Sequence, residues 1–258
     1  MGERDLSGQL QKMQREWDER ARENARHYVD TARRDWTDAD FFKSGEGTVS
    51  EEILTDMINI CQGKDPKRMR VLEIGCGAGR VTRALAQVFG EVYGVDISGE
   101  MVRQARAALA DLPQVHIFQN SGKDLEVLGN IRFDFAFSSI VFQHIPSREV
   151  IESYVHAVHR RLRPGRLFKF QLQGGEALDN PPDDTWLGVT FSEREARDMA
   201  LRCDFEMRHS YGAGTQYFWL WYFRPTFLSA PWRQHREYRL RMAYRRWRGR
   251  VARLLKNV

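Results

Sequence analysis

Cysteine is scarce in this chain: Cys61, Cys76 and Cys203 are the only three in 258 residues, and they lie far apart. Such spacing supplies neither a disulfide framework nor paired metal ligands, so structural zinc is not expected and a reducing compartment fits. Long apolar runs are missing as well, since none approaches the ~18 residues of a membrane-spanning helix. The start, Met1-Gly2-Glu3-Arg4-Asp5, lacks the apolar stretch of a signal peptide, and Leu6 stands where an acylation motif needs Ser or Thr. A cytoplasmic protein is the expectation.

Acidic residues are rare at one end only. Residues 225–258 hold nine Arg and one Lys against one Glu, whereas the whole chain carries a net charge of +5, so the remainder is net negative. Basicity belongs to the tail and not to the body of the protein. With 42% apolar residues over this length, the body is large enough to bury a real core.

That core is organised around Val71-Leu72-Glu73-Ile74-Gly75-Cys76-Gly77-Ala78-Gly79-Arg80. Val71 to Ile74 reads as a short buried strand, the alternating glycines as a tight turn, and Val81 to Phe89 as a helix with Leu85, Ala86 and Phe89 inward. The glycines let backbone approach a ligand without a Cβ in the way, and a helix start offers unpaired N–H donors. Glu91 to Asp96 reads as the next parallel strand, with its terminal carboxylate at the same sheet edge as the turn. A carboxylate there is placed to accept two hydrogen bonds from a ribose diol. A dinucleotide-binding fold shares this logic, but Arg80 occupies the position of its third glycine.

Glu73, Gly75, Gly77 and Gly79, followed in order by Phe133-Asp134-Phe135-Ala136-Phe137-Ser138-Ser139 and Leu162-Arg163-Pro164-Gly165-Arg166-Leu167, resemble class I S-adenosylmethionine-dependent methyltransferases. The resemblance spans residues 70–173. It implies an α/β, Rossmann-like fold: a seven-stranded, mostly parallel sheet with an antiparallel last strand and helices on both faces. It further implies S-adenosylmethionine as methyl donor, held by Glu73, Gly75, Cys76, Gly77, Gly79, Asp96 and Ile97. Ser121, Gly122 and Asp124 after the third strand, and Ser138 at the end of the fourth, complete the implied cofactor set. The family often has an acid where Ser121 stands, so the residue that reads the adenine is open, and a plain polar turn is an equal reading of Asn120 to Asp124.

The expected domain plan is an N-terminal helical cap over 1–65, a methyltransferase core over 66–224 and a basic, aromatic C-terminal helix over 225–258. From Gly8 to Arg34, Met13, Trp17, Ala21, Ala25 and Tyr28 recur at helical spacing. Such a helix either simply packs on the domain or covers the cofactor and helps to build an acceptor pocket. In the second case Tyr28, Phe42, Glu52, Gln143 and Trp186 are the acceptor contacts. Thr48 and Glu51 sit at capping-box spacing and predict a helix start there. Ser98, Ser147 and Ser192 predict three more, and Gln173 to Gly188 predicts a loop over the active edge in which Asp179, Asp183 and Asp184 are further candidates.

In enzymes of this type the stretch Ile140 to Pro146 runs nearest the methyl group. His144 is therefore the candidate general base, because an imidazole near its ordinary pKa accepts a hydroxyl proton at neutral pH. A histidine that only donates to a carbonyl is the competing reading. Ser138 replaces the acidic ligand used by catechol-chelating enzymes, so no metal is expected there, although loop acids leave room for a divalent ion elsewhere. The absence of an Asn/Asp-Pro-Pro-aromatic signature after the fourth strand argues against nucleic acid as the substrate. A base favours oxygen over nitrogen as acceptor; the Arg-rich, Lys-poor composition suggests a high-GC bacterium, where enzymes of the resembled family often modify sugars and secondary metabolites, so the resemblance implies a sugar hydroxyl, of the kind methylated in mycobacterial methylmannose polysaccharides. Leu240, Tyr244, Trp247, Val251 and Leu254 form a helical stripe among arginines in residues 232–258. That stripe suits an anionic membrane surface or an acidic partner, nucleic acid, docking on the chain's own domain, or a homo-oligomer contact. Two other classes stay open: a lipid, quinone or amine methyltransferase, and a non-catalytic binding module of the same fold.

Overall fold

The computed structural model describes residues 3–175 and 185–226. Seven strands form one sheet in the order β3-β2-β1-β4-β5-β7-β6. They are β1 (Arg70–Ile74), β2 (Glu91–Asp96), β3 (Val115–Gln119), β4 (Phe133–Ser138), β5 (Leu162–Leu172), β6 (Glu206–Tyr211) and β7 (Phe218–Phe223). β1 to β5 run parallel and β7 runs antiparallel to both neighbours, as the sequence predicts for the end of the sheet. Strand order reverses between β1 and β4, and ligands of open α/β sheets bind in the crevice outside the strand ends at such a reversal.

The sheet is buried on both faces, which explains the continuous apolar runs. In β4 Phe135 and Phe137 pack with Val71, Val92 and Leu85 on one face, and Ala136 packs with Leu72, Tyr154 and Phe168 on the other. β7 is split the same way, Phe218, Leu220 and Tyr222 to one side and Trp219 and Phe223 to the other.

Seven helices flank the sheet among the described residues: α1 (Glu3–Val29), α2 (Asp38–Glu52), α3 (Met57–Cys61), α4 (Arg80–Val88), α5 (Gly99–Ala108), α6 (Arg148–Arg161) and α7 (Glu193–Arg202). Three of the expected caps form: Ser98 accepts from the Met101 amide, Ser147 from Val150, and Ser192 shares a full capping box with Glu195. The Thr48–Glu51 start does not. Thr37 caps the helix at Asp38, so Thr48 lies deep inside α2, where its hydroxyl serves Arg80 instead. Strand β5 begins at Leu162, paired to Phe133, and absorbs the Pro164-Gly165 turn that reads in sequence as the break before it.

α2 crosses the start of α4 at Gly45, where a Cβ would overlap the Arg80 carbonyl oxygen. α1 lies along the carboxyl edge of the sheet and is kinked at Asn24, whose side chain accepts from the His27 amide and donates to the Arg34 carbonyl. Asp18 fastens the helix to the core by accepting from Ser98 Oγ (2.6 Å) and the Glu100 amide (3.1 Å) at the start of α5. The proposed tail helix and Asp179, Asp183 and Asp184 fall outside the described residues. No described helix is long and apolar enough to cross a membrane.

Candidate functional site

The crevice at the strand reversal is a cleft of about 830 Å³ including its open mouth. Its floor is Glu73 to Gly77, Arg80, Val95, Asp96 and Ile97. Its far wall is Ser139, Ile140, Val141, His144, Ile145 and Tyr154, and its cover is Met13, Trp17, Tyr28 and Val29 of α1.

The glycine turn is more stitched than its sequence suggests. The amides of Gly75 and Cys76 donate to the Val95 carbonyl at 2.7 and 3.0 Å, and that of Gly77 donates to Asp96 Oδ2 at 2.9 Å. These donors bind β1 to β2, and the helix start follows them at Arg80. Gly77 and Gly79 do adopt positive φ, 51° and 88°, and Gly79 lets α4 start against Leu109 and Ala105 of α5. Cys76 points into the packing beside Gly94, and burial pushes its thiol well up, so it lines the cleft as a neutral apolar side chain.

Asp96 is held from both sides, Oδ2 by Gly77 and Oδ1 by the Ser98 amide at 2.9 Å, leaving a lone pair on each oxygen. Burial raises its pKa to about 6, against those two backbone bonds, which lower it. Glu73 is 4% exposed and takes the Thr82 hydroxyl at 2.5 Å. Burial lifts it to about 7, opposed by Thr82 and by the charge of Arg80. Arg80 is itself buried, which lowers its pKa; it reaches Thr48 (3.0 Å) and Asp30 (3.7 Å), while its Nε finds no hydrogen-bond partner among the described residues.

Other expected contacts are placed differently. Ser138 is buried and donates to the Ile74 carbonyl at 2.9 Å, so its hydroxyl is spent between β4 and β1. Ser121 is exposed and Asp124 accepts from the Glu126 amide, while Gly122 lies against Ile97 and Leu10 of α1. The buried side chain in that turn is Asn120, which donates to Tyr154 Oη at 2.7 Å and whose Oδ1 finds no hydrogen-bond partner among the described residues. Phe42 packs behind the cleft under Arg83. Glu52 lies on the opposite sheet face, paired at 2.9 Å with the buried Lys169, which sits over Trp219 and Trp221. Phe42 and Glu52 therefore do not join the cleft.

Tyr28, Gln143, His144 and Trp186 do come together. His144 is 5.2 Å from Trp186 and 5.3 Å from Trp17 between ring centroids, and Tyr28 meets Trp186 edge-on at 5.9 Å. Arg20 lies over both tryptophans and donates to Thr185 Oγ1 at 2.9 Å, and Thr185 donates to Glu16. Trp17, Arg20 and Thr185 were not legible as site residues, because Trp17 reads as one more apolar position of a packed helix. Ile140 has φ +56°, an uncommon backbone state for a β-branched residue, with a strain of order 1–3 kcal/mol.

One further group brings potential metal ligands within 4.8 Å of one another, Glu152, His156 and Cys203. Arg202 already holds both Glu152 oxygens and burial pushes the Cys203 thiol up, so these residues form an ordinary packed pair of helices.

Residues 71–165 match the methyltransferase domain family. The malonyl-[acyl-carrier protein] O-methyltransferase of Enterobacter lignolyticus is 31% identical over 141 residues, 51% of this chain and 52% of that protein. The ubiquinone biosynthesis O-methyltransferase of Xanthomonas oryzae pv. oryzae is 31% identical over 97 residues, 37% of this chain and 39% of that one. The chain thus spans about half or less of the curated relatives it matches. In three dimensions it is similar to the magnesium protoporphyrin IX methyltransferase of Synechocystis PCC 6803 with bound S-adenosylmethionine, at a TM-score of 0.58 and 17% identity, covering 84% of this chain and 97% of that one.

Proposed function

We propose, from the match of residues 71–165 to the methyltransferase domain family, that the protein transfers a methyl group from S-adenosylmethionine to a hydroxyl of a small ring-shaped molecule. The observation that carries the reading is the cleft itself: a half-buried carboxylate at the end of β2 faces the same space as an imidazole beyond β4. Asp96 is suited to grip the ribose diol with the lone pairs its backbone bonds leave free. Ile97 and Ile140 supply apolar surface for the adenine, and Glu73 and the glycine turn close the floor. The donor would supply an electrophilic methyl carbon on a positively charged sulfur.

The transfer is an in-line displacement. The acceptor oxygen forms a bond to the methyl carbon, the carbon–sulfur bond breaks with its electron pair going to sulfur, and the hydroxyl proton passes to His144. The protein's part is mainly to align the reactants and exclude water, which α1 does by closing the cleft with Met13, Trp17 and Val29. That is the role we assign to the cap, residues 1–65, over the core, residues 66–224.

Among the described residues the acceptor end is walled by Trp17, Tyr28 and Ile145, with Trp186 packed against both aromatic rings and His144 beside them. Such a wall suits a flat ring with an apolar face, a phenol before a sugar, because each sugar hydroxyl left unpaired on burial is unfavourable. A screen of phenolic, sugar and amine acceptors for released S-adenosylhomocysteine tests this, with D96A as control. Release from phenols alone is the expected result, release from sugars restores the saccharide reading, and failure of the intact protein to bind the donor in calorimetry leaves only a binding module.

A further inference from the structure

Three side chains between β5 and the cleft are almost wholly buried: Gln171 at 1% exposure, Gln143 at 5% and His144 at 8%. Each has two ends whose identity is set by its partners, and the partners at the ends of the row are backbone groups that have no choice. The Ile140 amide only donates, so the Gln171 atom 3.1 Å from it is the carbonyl oxygen Oε1. Gln171 Nε2 must then point the other way, where it donates to the Gln216 carbonyl at 3.0 Å and to Gln143 Oε1 at 2.6 Å. This orients Gln143 with its Nε2 toward His144 Nε2, at 3.3 Å. An amide nitrogen only donates, so His144 Nε2 is the acceptor. At the far end Nδ1 stands 2.6 Å from the Trp186 carbonyl, which only accepts, so the proton sits on Nδ1.

Both ends of the row demand the same polarity, and no group in it is assigned against its chemistry. We infer that Gln171 and Gln143 are positioning residues that fix His144 as the Nδ1–H tautomer, with its one lone pair on Nε2. This rests on the reading of His144 as general base: the lone pair to which the Gln143 amide donates at 3.3 Å takes the hydroxyl proton once the acceptor displaces that contact. The same Gln171 oxygen holds the Ile140 amide, so one buried side chain sets both the left-handed turn after β4 and the state of the imidazole.

The isosteric change Gln171→Glu discriminates. A carboxylate keeps the bond from Ile140 but cannot donate to Gln143 Oε1. The Gln143 amide then turns over, offers its nitrogen to Glu and its oxygen to His144, and Nε2 takes up a proton while the Trp186 carbonyl keeps the one on Nδ1. The test is long-range proton–nitrogen NMR on the full chain with labelled histidine, at a pH where the wild-type ring is neutral. In the wild type the His144 ring should read as protonated on Nδ1 and bare on Nε2, and in Q171E as protonated on both nitrogens. A wild-type ring bearing its proton on Nε2, or a folded Q171E indistinguishable from wild type, overturns the inference. Should Q171E fail to fold, Gln143→Leu serves instead: without the donor, Nε2 should shift measurably while Nδ1 keeps its proton, and an unmoved Nε2 signal again overturns it.

The two ideas separate cleanly, because the NMR readout needs no substrate. Turnover on an accepted substrate is then read beside it, with Q171E expected to lose at least tenfold in kcat while the donor Kd is unchanged. If the ring's protonation changes and turnover does not, the base role fails and the positioning stands.

Discussion

The floor and the cover of the cleft are built on different scales. On the floor, Gly77 and Asp96 are 19 residues apart and Glu73 and Thr82 nine, so these contacts close within one strand-turn-helix-strand unit, while Arg80 reaches outside it to Thr48 and Asp30. On the cover, Arg20 meets Thr185 across 165 residues and His144 meets Trp186 across 42. The floor is a property of a local motif, whereas the cover exists only once both ends of the chain have been brought to the sheet edge. Under the proposed function, the first part suits donor binding and the second suits the acceptor.

If that division is right, substitutions on the two sides should separate binding from turnover. The largest effect is expected on the floor: Asp96→Ala removes the proposed diol contact and should weaken S-adenosylmethionine binding by 10² or more in calorimetry, a buried ligand group being left unpaired. His144→Ala on the far wall should leave that affinity intact and lower turnover by about 10². An unchanged rate would remove the base from the mechanism.

Gly45→Ala probes the packing that carries the floor. Its methyl group overlaps the Arg80 carbonyl, so α2 must move off α4, with an expected destabilisation of about 1–3 kcal/mol in denaturant titration. Glu73 and Asp96 make the floor sensitive to pH. Their folded pKa values, about 7 and about 6, lie above those of ordinary carboxyls, so the native state holds these protons more tightly than the unfolded chain. The unliganded protein should therefore lose stability as pH rises from about 4 through 7, these two groups favouring folding on the acid side. Donor affinity should run the other way, falling as pH drops through about 6, because a protonated Asp96 accepts less well. Parallel trends in melting temperature and affinity would contradict the assignment of Asp96.

The smallest effect belongs to the cover. Asp18→Ala removes the bonds to Ser98 and Glu100 and should lower stability by about 1 kcal/mol, a cap's usual worth. Melting should fall by roughly 2–4 °C, and amide exchange in α1 should rise more than in β1. Equal changes in both would show that α1 is not a separable cover.

Much of the floor was legible because glycine, strand and cap signals are local. Glu73, Gly77 and Asp96 lie where the pattern puts them, and Ser98, Ser147 and Ser192 cap the helices expected of them. The same locality misled at Thr48, which has capping-box spacing but sits inside α2, where tertiary packing on Arg80 decides its partner. Phe42 and Glu52 were misplaced for a related reason: a sequence shows that a side chain is apolar or charged and near a functional segment, but not which sheet face it takes. Asn120, buried beside the exposed Ser121, shows how one position's difference in a turn exchanges a solvent group for a buried one.

By itself, then, the amino-acid order determined the alternation of strands and helices, the glycine turn and the acid at the end of β2, because these depend on φ/ψ preference and on apolar periodicity over a few residues. Only the tertiary structure decided that Trp17, Tyr28 and Trp186 share one wall with His144, and that Gln171 governs the imidazole two side chains away. Such contacts join elements that have no pattern in common, and they form only where the burial of the sheet's two faces forces those elements to meet.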